Sequence, residues 1–160
     1  MPGRTASNMA AETTLRLARD FKNIVAIKEA SANLDQMGRI LKHKPKDFML
    51  ISGDDALTLP IIALGGVGVI SVVGNALPAE FSALVNAALK GDLETARKEH
   101  LRLIEVIDLL FAEGNPGGIK NVLKVLGICG DTMRLPLVNI SEATANKLYH
   151  ALADAEVVKL

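Results

Sequence analysis

Asn23-Ile24-Val25-Ala26-Ile27-Lys28-Glu29-Ala30-Ser31 is the stretch on which the reading of this 160-residue chain turns. Residues 24–27 are consecutively apolar and run straight into a lysine. A short apolar run without alternation predicts a strand buried on both faces. Lys28 then stands where that strand leaves the core. Desolvation beside so much apolar surface disfavours the charged ammonium. A neutral amine there can attack a carbonyl and form a Schiff base. The plainer alternative is a lysine that snorkels past the strand end into water.

Moving outward, the same alternation of short apolar strands and helices recurs. Met9, Leu15 and Leu17 predict a helix over about residues 8–18 ahead of the strand. Asn33 with Gln36 three residues later predicts a capping-box variant that opens a helix from 34 to about 42. Leu34, Met37, Ile40 and Leu41 form its inner face, and Pro45 ends the segment. Phe48-Met49-Leu50-Ile51 predicts a second buried strand, followed by Ser52-Gly53-Asp54-Asp55. Gly53 permits close approach of a neighbour or ligand, and Asp54 or Asp55 can cap the next helix. Pro60 implies a kink or a late start in that helix.

Gly65-Gly66-Val67-Gly68-Val69-Ile70-Ser71-Val72-Val73 predicts a glycine turn and a third strand. These glycines precede a strand, whereas a dinucleotide fingerprint joins a strand to a helix, so that function is rejected. Pro78 suits the first turn of a helix that ends at Lys90-Gly91. Residues 93–111 form a long amphipathic helix with Leu103, Ile104, Ile107 and Leu110 as its stripe. A loop at 114–118, a short helix over 119–126 ended by Gly127, a break at Leu135-Pro136 and a last helix capped by Ser141 complete the chain. Three strand–helix units and a helical tail predict an α/β fold with parallel strands. The chain falls short of the roughly 250 residues of a closed eightfold barrel.

Composition narrows the function classes. The chain is 49% hydrophobic and 22% charged, which suits a well-buried fold rather than a disordered segment. Lys and Arg total 18 against 18 Asp and Glu, so nothing favours nucleic acid or an anionic membrane. With no Trp, one Tyr and four Phe, base-stacking platforms are not expected. The single Cys129 excludes an intrachain disulfide and fits a reducing compartment, with apolar neighbours that suggest packing. No run approaches the roughly 20 apolar residues of a membrane span. Met1-Pro2-Gly3-Arg4-Thr5 has no signal-peptide core, so the cytoplasm is the default expectation. That Pro-Gly-Arg turn looks like the exit of a strand.

Ile27-Lys28-Glu29-Ala30-Ser31, Ser52-Gly53-Asp54-Asp55 and Gly68-Val69-Ile70-Ser71-Val72, in this order and spacing, resemble the C-terminal half of the dihydrodipicolinate synthase family of pyruvate-dependent class I aldolases. Pro2-Gly3-Arg4-Thr5 and Leu135-Pro136-Leu137 match it too, so the resemblance covers essentially the whole chain. The Lys-Glu-Ala-Ser wording leans toward that family over N-acetylneuraminate lyase and the sugar-acid aldolases that share the frame. The resemblance implies a partial (βα)8 barrel, about its last three strand–helix units over residues 1–91, with a C-terminal helical extension over 92–160.

The resemblance also implies Lys28 as the Schiff-base lysine for pyruvate. It implies Arg4 as a binder of the aldehyde partner's carboxylate, and Gly53 as a backbone position beside that partner. Ile70 would position pyruvate through its main chain. Pyruvate and aspartate semialdehyde are the implied substrates, with no metal or organic cofactor. Read without the resemblance, Arg4 is a terminal charge, Gly53 a turn glycine and Ile70 a core residue. The family's Gly-Thr-Thr motif and proton-relaying tyrosine have no counterpart here, since Tyr149 falls in the last helix. The chain therefore reads as a half that is inactive alone and forms a homo-oligomer or pairs with a missing N-terminal half. A non-catalytic half-barrel that only assembles is the competing expectation.

Overall fold

The computed structural model describes residues 2–159 and consists of helices around a two-stranded parallel sheet. Its elements fall into two compact units. The first holds residues 1–71 with 84–96, and the second holds 72–83 with 97–160.

The first unit is built on β1 (Ala26–Glu29) and β2 (Met49–Ser52). They pair in parallel, with Ala26 opposite Met49 and Glu29 opposite Ser52. Successive strand residues point to opposite faces, and residues in register share a face. Ile27 and Leu50 therefore face one way, into a core with Met37 and Ile40 of α3 (Leu34–His43), Ile61 of α4 (Thr58–Ala63) and Ala11 of α2 (Ala11–Asp20). Lys28 and Ile51 face the other way.

β1 begins two residues later than the apolar run suggests, and it is not buried on both faces. Val25 is 54% exposed and Lys28 is exposed. Residues of α2, α3 and α4 pack on the Ile27–Leu50 face, and no described strand lies on the free edge of β1. The expected third strand is reduced to a single bridge between Ser52 and Val69. Residues 67–70 do run beside β2: Val67 N–H donates to Leu50 O, Ser52 N–H to Gly68 O and Ile70 N–H to Ser52 O, at 2.8–3.0 Å. Gly68, at φ +153°, departs from strand geometry and cuts this ladder short.

The caps explain the helix boundaries. Asn33 Oδ1 accepts from Gln36 N–H at 2.9 Å, as the Asn33–Gln36 spacing predicts. Only half of the capping box forms, because the Gln36 side chain turns to Glu29 and Asn8 instead. That engagement of Asn8 also moves the start of α2 to Ala11, leaving Met9 outside it and 48% exposed. Asp54 Oδ1 accepts from Leu57 N–H at 3.1 Å, and α4 starts late enough to place Pro60 in its first turn, where it is tolerated. Pro2-Gly3-Arg4-Thr5 forms a one-turn helix, α1 (Pro2–Thr5), rather than an open turn. Ile62 packs with Ala87, Ala88 and Ala96 in a second small cluster. Ala87 and Ala88 come from α5 (Pro78–Leu89), which begins at the expected proline.

The regular structure of the second unit is helical, with one 3-10 turn at Val73–Asn75 and an irregular stretch over 126–141. It contains most of α6 (Leu93–Phe111), α7 (Gly117–Val125) and α8 (Glu142–Asp154). Leu103, Ile107 and Leu110 are buried along the expected stripe of α6, and Leu148 and Leu152 are buried in α8. Ser141 Oγ accepts from Thr144 N–H at 3.2 Å. The Ser141 hydroxyl in turn donates to Glu113 Oε1 at 2.5 Å, and this bond holds the Glu113 carboxyl below its ordinary range. Arg102 pairs with Glu99 at 2.6 Å and donates to Ala155 O at 2.7 Å, tying α6 to the end of α8. No helix among the described residues is long and apolar enough to cross a membrane.

His100 Nδ1 is buried in α6 without a hydrogen-bond partner among the described residues. Burial lowers its pKa below the ordinary 6.5. Below 6.5 the unfolded chain binds a proton there that the folded chain resists, so stability falls as pH drops from 6.5 toward the lowered value. The urea midpoint should therefore decrease on acidification through that window, and His100→Gln should flatten the dependence. An identical pH dependence in the variant would refute the assignment. In the first unit, β1 has no strand on its far edge among the described residues, and such an edge invites pairing. Light scattering over a dilution series should show concentration-dependent association of the isolated chain. A sharp, concentration-independent monomer would contradict this.

Candidate functional site

The parallel register places the ends of β1, β2 and the 67–70 segment side by side. Lys28 lies opposite Ile51, one residue before the end of β1. Gly53 follows the last residue of β2, and its N–H donates to Glu29 O at 2.8 Å. Ile70 is drawn to the same place by its N–H bond to Ser52 O at 2.9 Å. Three of the four residues singled out in the sequence are thus neighbours at the C-terminal ends of parallel strands.

Gly53 is more than a turn residue. A Cβ built on it would lie 2.8 Å from Lys28 Cε, 3.0 Å from Lys28 Cγ and 2.9 Å from Ala30 Cβ. The lysine stem therefore runs across the bare glycine backbone, and only the absence of a side chain lets it do so. Ile70 is 51% exposed, so it is not a core residue. Arg4 stands apart. It sits in α1 with an exposed side chain, and no hydrogen bond or ion pair among the described residues joins it to the other three. Tyr149 lies in α8, and its hydroxyl donates to Lys159 O at 3.0 Å.

The expectation that strand burial desolvates Lys28 is not met in this chain. Lys28 lies on the face opposite the Ile27–Leu50 core, and its side chain is exposed.

Sequence reading missed the polar layer behind the lysine. Glu29 is only 4% exposed; its Oε1 accepts from Ser31 N–H at 2.7 Å and its Oε2 from Gln36 Nε2 at 2.8 Å. Gln36 Oε1 accepts from Asn8 Nδ2 at 2.9 Å. Strand parity could have revealed this, because Glu29 falls two residues after Ile27 on the helix-covered face. A carboxylate buried there must find partners. Next to it, Ser52 Oγ donates to Asp54 O at 2.8 Å, and Thr58 Oγ1 donates to the same carbonyl at 2.8 Å. Among the described residues, no group of three or more His, Cys, Asp or Glu is placed to hold a metal ion.

A lysine and a close-approach glycine gathered at the C-terminal ends of parallel strands define the site geometry of α/β proteins, whose chemistry lies at that end of the sheet. The profile of the dihydrodipicolinate synthetase family matches residues 1–155, and the chain belongs to that family. It is 53% identical over 157 residues to a 4-hydroxy-tetrahydrodipicolinate synthase of Phocaeicola vulgatus, covering 98% of this chain and 53% of the relative. The corresponding protein of Koribacter versatilis is 46% identical over 159 residues, covering 99% of this chain and 53% of the relative. Among solved structures, dihydrodipicolinate synthase from Thermotoga maritima superposes with a TM-score of 0.95 at 38% identity, covering 99% of this chain and 55% of that one. The Aquifex aeolicus enzyme superposes at 0.94 with 40% identity, covering 100% and 55%. The chain thus spans about half the length of the relatives it matches, and it aligns with about half of their α/β barrels.

Gly53→Ala tests the close approach. The new methyl must displace the exposed Lys28 stem, which can move at little cost, or Ala30 Cβ, whose shift would add strain of about 1 kcal/mol. The urea midpoint should fall by no more than this, and the Lys28 resonances should shift in the NMR spectrum. A variant with unchanged Lys28 shifts and unchanged stability would show that the stem does not rest on Gly53.

Proposed function

We propose that this chain carries the Schiff-base lysine of a 4-hydroxy-tetrahydrodipicolinate synthase, a lyase that condenses pyruvate with aspartate semialdehyde in lysine and diaminopimelate biosynthesis. The observation that carries the reading is the Lys28 stem laid over Gly53 at the end of adjacent parallel strands, in a chain similar along nearly its whole length to relatives of that name. In this reading residues 1–91 form the last three strand–helix units of a (βα)8 barrel, and residues 92–160 form its helical extension. The face that holds Lys28 and Ile51 becomes the barrel interior once further strands close it.

The neutral Lys28 amine attacks the pyruvate ketone, and loss of water leaves an imine. Loss of a methyl proton from the bound pyruvate gives an enamine, whose carbon adds to the aldehyde of aspartate semialdehyde. The product amino group then displaces the lysine by transimination as the ring closes. Arg4 binds the aldehyde partner's carboxylate, Gly53 lies beside that partner, and the Ile70 main chain orients pyruvate. The protonated imine formed on Lys28 is the electron sink for the methyl carbanion, so this reading calls for no metal or organic cofactor.

A second reading is favoured by the open β1 edge. These residues would then act only in assembly, as a homo-oligomer or as the complement of a separate N-terminal half. Borohydride reduction in the presence of pyruvate separates the two readings. Lys28 should be the lysine reduced onto pyruvate, and Lys28→Arg should abolish capture because arginine stays protonated. Equal labelling of several lysines would sink the assignment.

Turnover is a separate matter. Positioned proton transfer contributes roughly 10²–10⁴-fold, and nothing in these 160 residues matches the family's tyrosine. The chain alone should therefore give no measurable product. Adding a separately made N-terminal half should restore activity that Lys28→Ala removes. Full turnover by the 160 residues alone would overturn this.

A further inference from the structure

We propose that Glu29 is a positioning residue for Lys28, acting through a hydrogen-bond relay to buried Gln36 and on to exposed Asn8; the inference rests on the Schiff-base reading of Lys28 given above. Glu29 is the next residue after the lysine and points to the opposite face of β1. It is pinned from several directions. Its carbonyl receives Gly53 N–H at 2.8 Å, from the exit of β2. Its Oε1 receives Ser31 N–H at 2.7 Å, from the loop that follows β1. Its Oε2 receives Gln36 Nε2 at 2.8 Å, from the first turn of α3. Gln36, itself only 8% exposed, extends the relay by accepting from Asn8 Nδ2 at 2.9 Å, four residues beyond Arg4.

The side chain therefore joins the strand that carries Lys28 to the loop after it, to α3 and, through Gln36, to the segment that leads from Arg4, while the main-chain carbonyl of the same residue holds Gly53. Apolar packing does not require a carboxylate here. A leucine or methionine would suit the neighbouring Met37 and Ile40 core, and buried charges are weak contributors to stability compared with such replacements. A carboxylate adds direction, because each of its oxygens accepts from one defined donor. The loop it holds includes Ala32 at φ +60°, a left-handed conformation unusual for a non-glycine residue. Ser31 Oγ, accepting from Asn33 N–H at 3.2 Å, closes the same loop. Release of the Glu29 side chain frees this loop, and with it Ala30, which flanks the Lys28 stem over Gly53.

The test compares Glu29→Ala and Glu29→Gln with the wild-type 160-residue chain. Borohydride capture of pyruvate and trace acetylation by acetic anhydride are each read at Lys28 relative to Lys22 and Lys42 by peptide mass spectrometry. Circular dichroism reports the fold. In Glu29→Ala, pyruvate capture at Lys28 should fall on the order of 10²-fold, the scale of a small misplacement of a reacting group. Acetylation of the same lysine should rise as its stem leaves Gly53, while Lys22 and Lys42 are unchanged. Opposite movements at one amine distinguish lost positioning from lost structure.

Glu29→Gln should restore capture well above the alanine level. Its amide oxygen can still take Ser31 N–H, and its amide nitrogen can donate to a flipped Gln36. Unchanged ratios at Lys28 in folded Glu29→Ala overturn the proposal. So does a uniform change at all three lysines with loss of the helical signal, provided Glu29→Gln shows the same. If the wild-type chain captures no pyruvate, the Schiff-base reading fails. The positioning role is then decided by the acetylation ratio alone: a rise confined to Lys28 supports it and no change refutes it.

Discussion

Parallel pairing of β1 with β2 is the constraint from which the rest of the first unit follows. The register that sets Ile27 against Leu50 also sets Lys28 against Ile51 and Glu29 against Ser52. Strand parity then sorts adjacent residues to opposite environments. Leu50, Met37 and Ile40 are fully buried on the helix side, so the register cannot slip by one residue without turning this core outward. The same hydrophobic requirement therefore sends Lys28 to the opposite face and draws Glu29 into the layer beneath it.

That layer gathers most of the buried polar side chains of the first unit. Glu29, Gln36, Ser52 and Thr58 are buried, and each has a defined partner. Buried polar groups are costly unless satisfied, and satisfied ones specify a single arrangement. Here they converge on the strand ends rather than on the middle of the core. The result is a hydrogen-bonded polar layer beneath the strand ends that carry Lys28 and Gly53. The second unit reaches stability by different means. Its helices bury continuous leucine, isoleucine and valine stripes, and its polar ties, such as Ser141 with Glu113, sit at helix ends.

Much of the secondary structure was legible because its causes are local. The α3 cap at Asn33, the α5 start at Pro78, the span of α6 over Leu93–Phe111 and the α8 cap at Ser141 each depend on a few neighbouring residues. Errors arose where distant partners intervened. Asn8 left the start of α2 to bond Gln36, and the third apolar run kept only one bridge because Gly68 broke its ladder and its far edge had no described strand to join. β1 was expected to be covered on both faces because its composition is that of an interior strand, yet Lys28 on its second face is exposed.

By itself the sequence determined which residues could carry chemistry. A lysine at the end of an apolar run, a glycine after a second run and a third apolar segment were all visible, and their order carried the family resemblance. Tertiary structure decided how they meet. Only the pairing of strands more than twenty residues apart brings Lys28 Cε to within 2.8 Å of a position that a Gly53 Cβ would occupy. Only that pairing buries Glu29 and supplies its partners from the following loop and from α3. The reason is physical: residue type and local spacing set propensities and faces, whereas distances between strand ends arise from long-range register and close packing, which no single segment encodes.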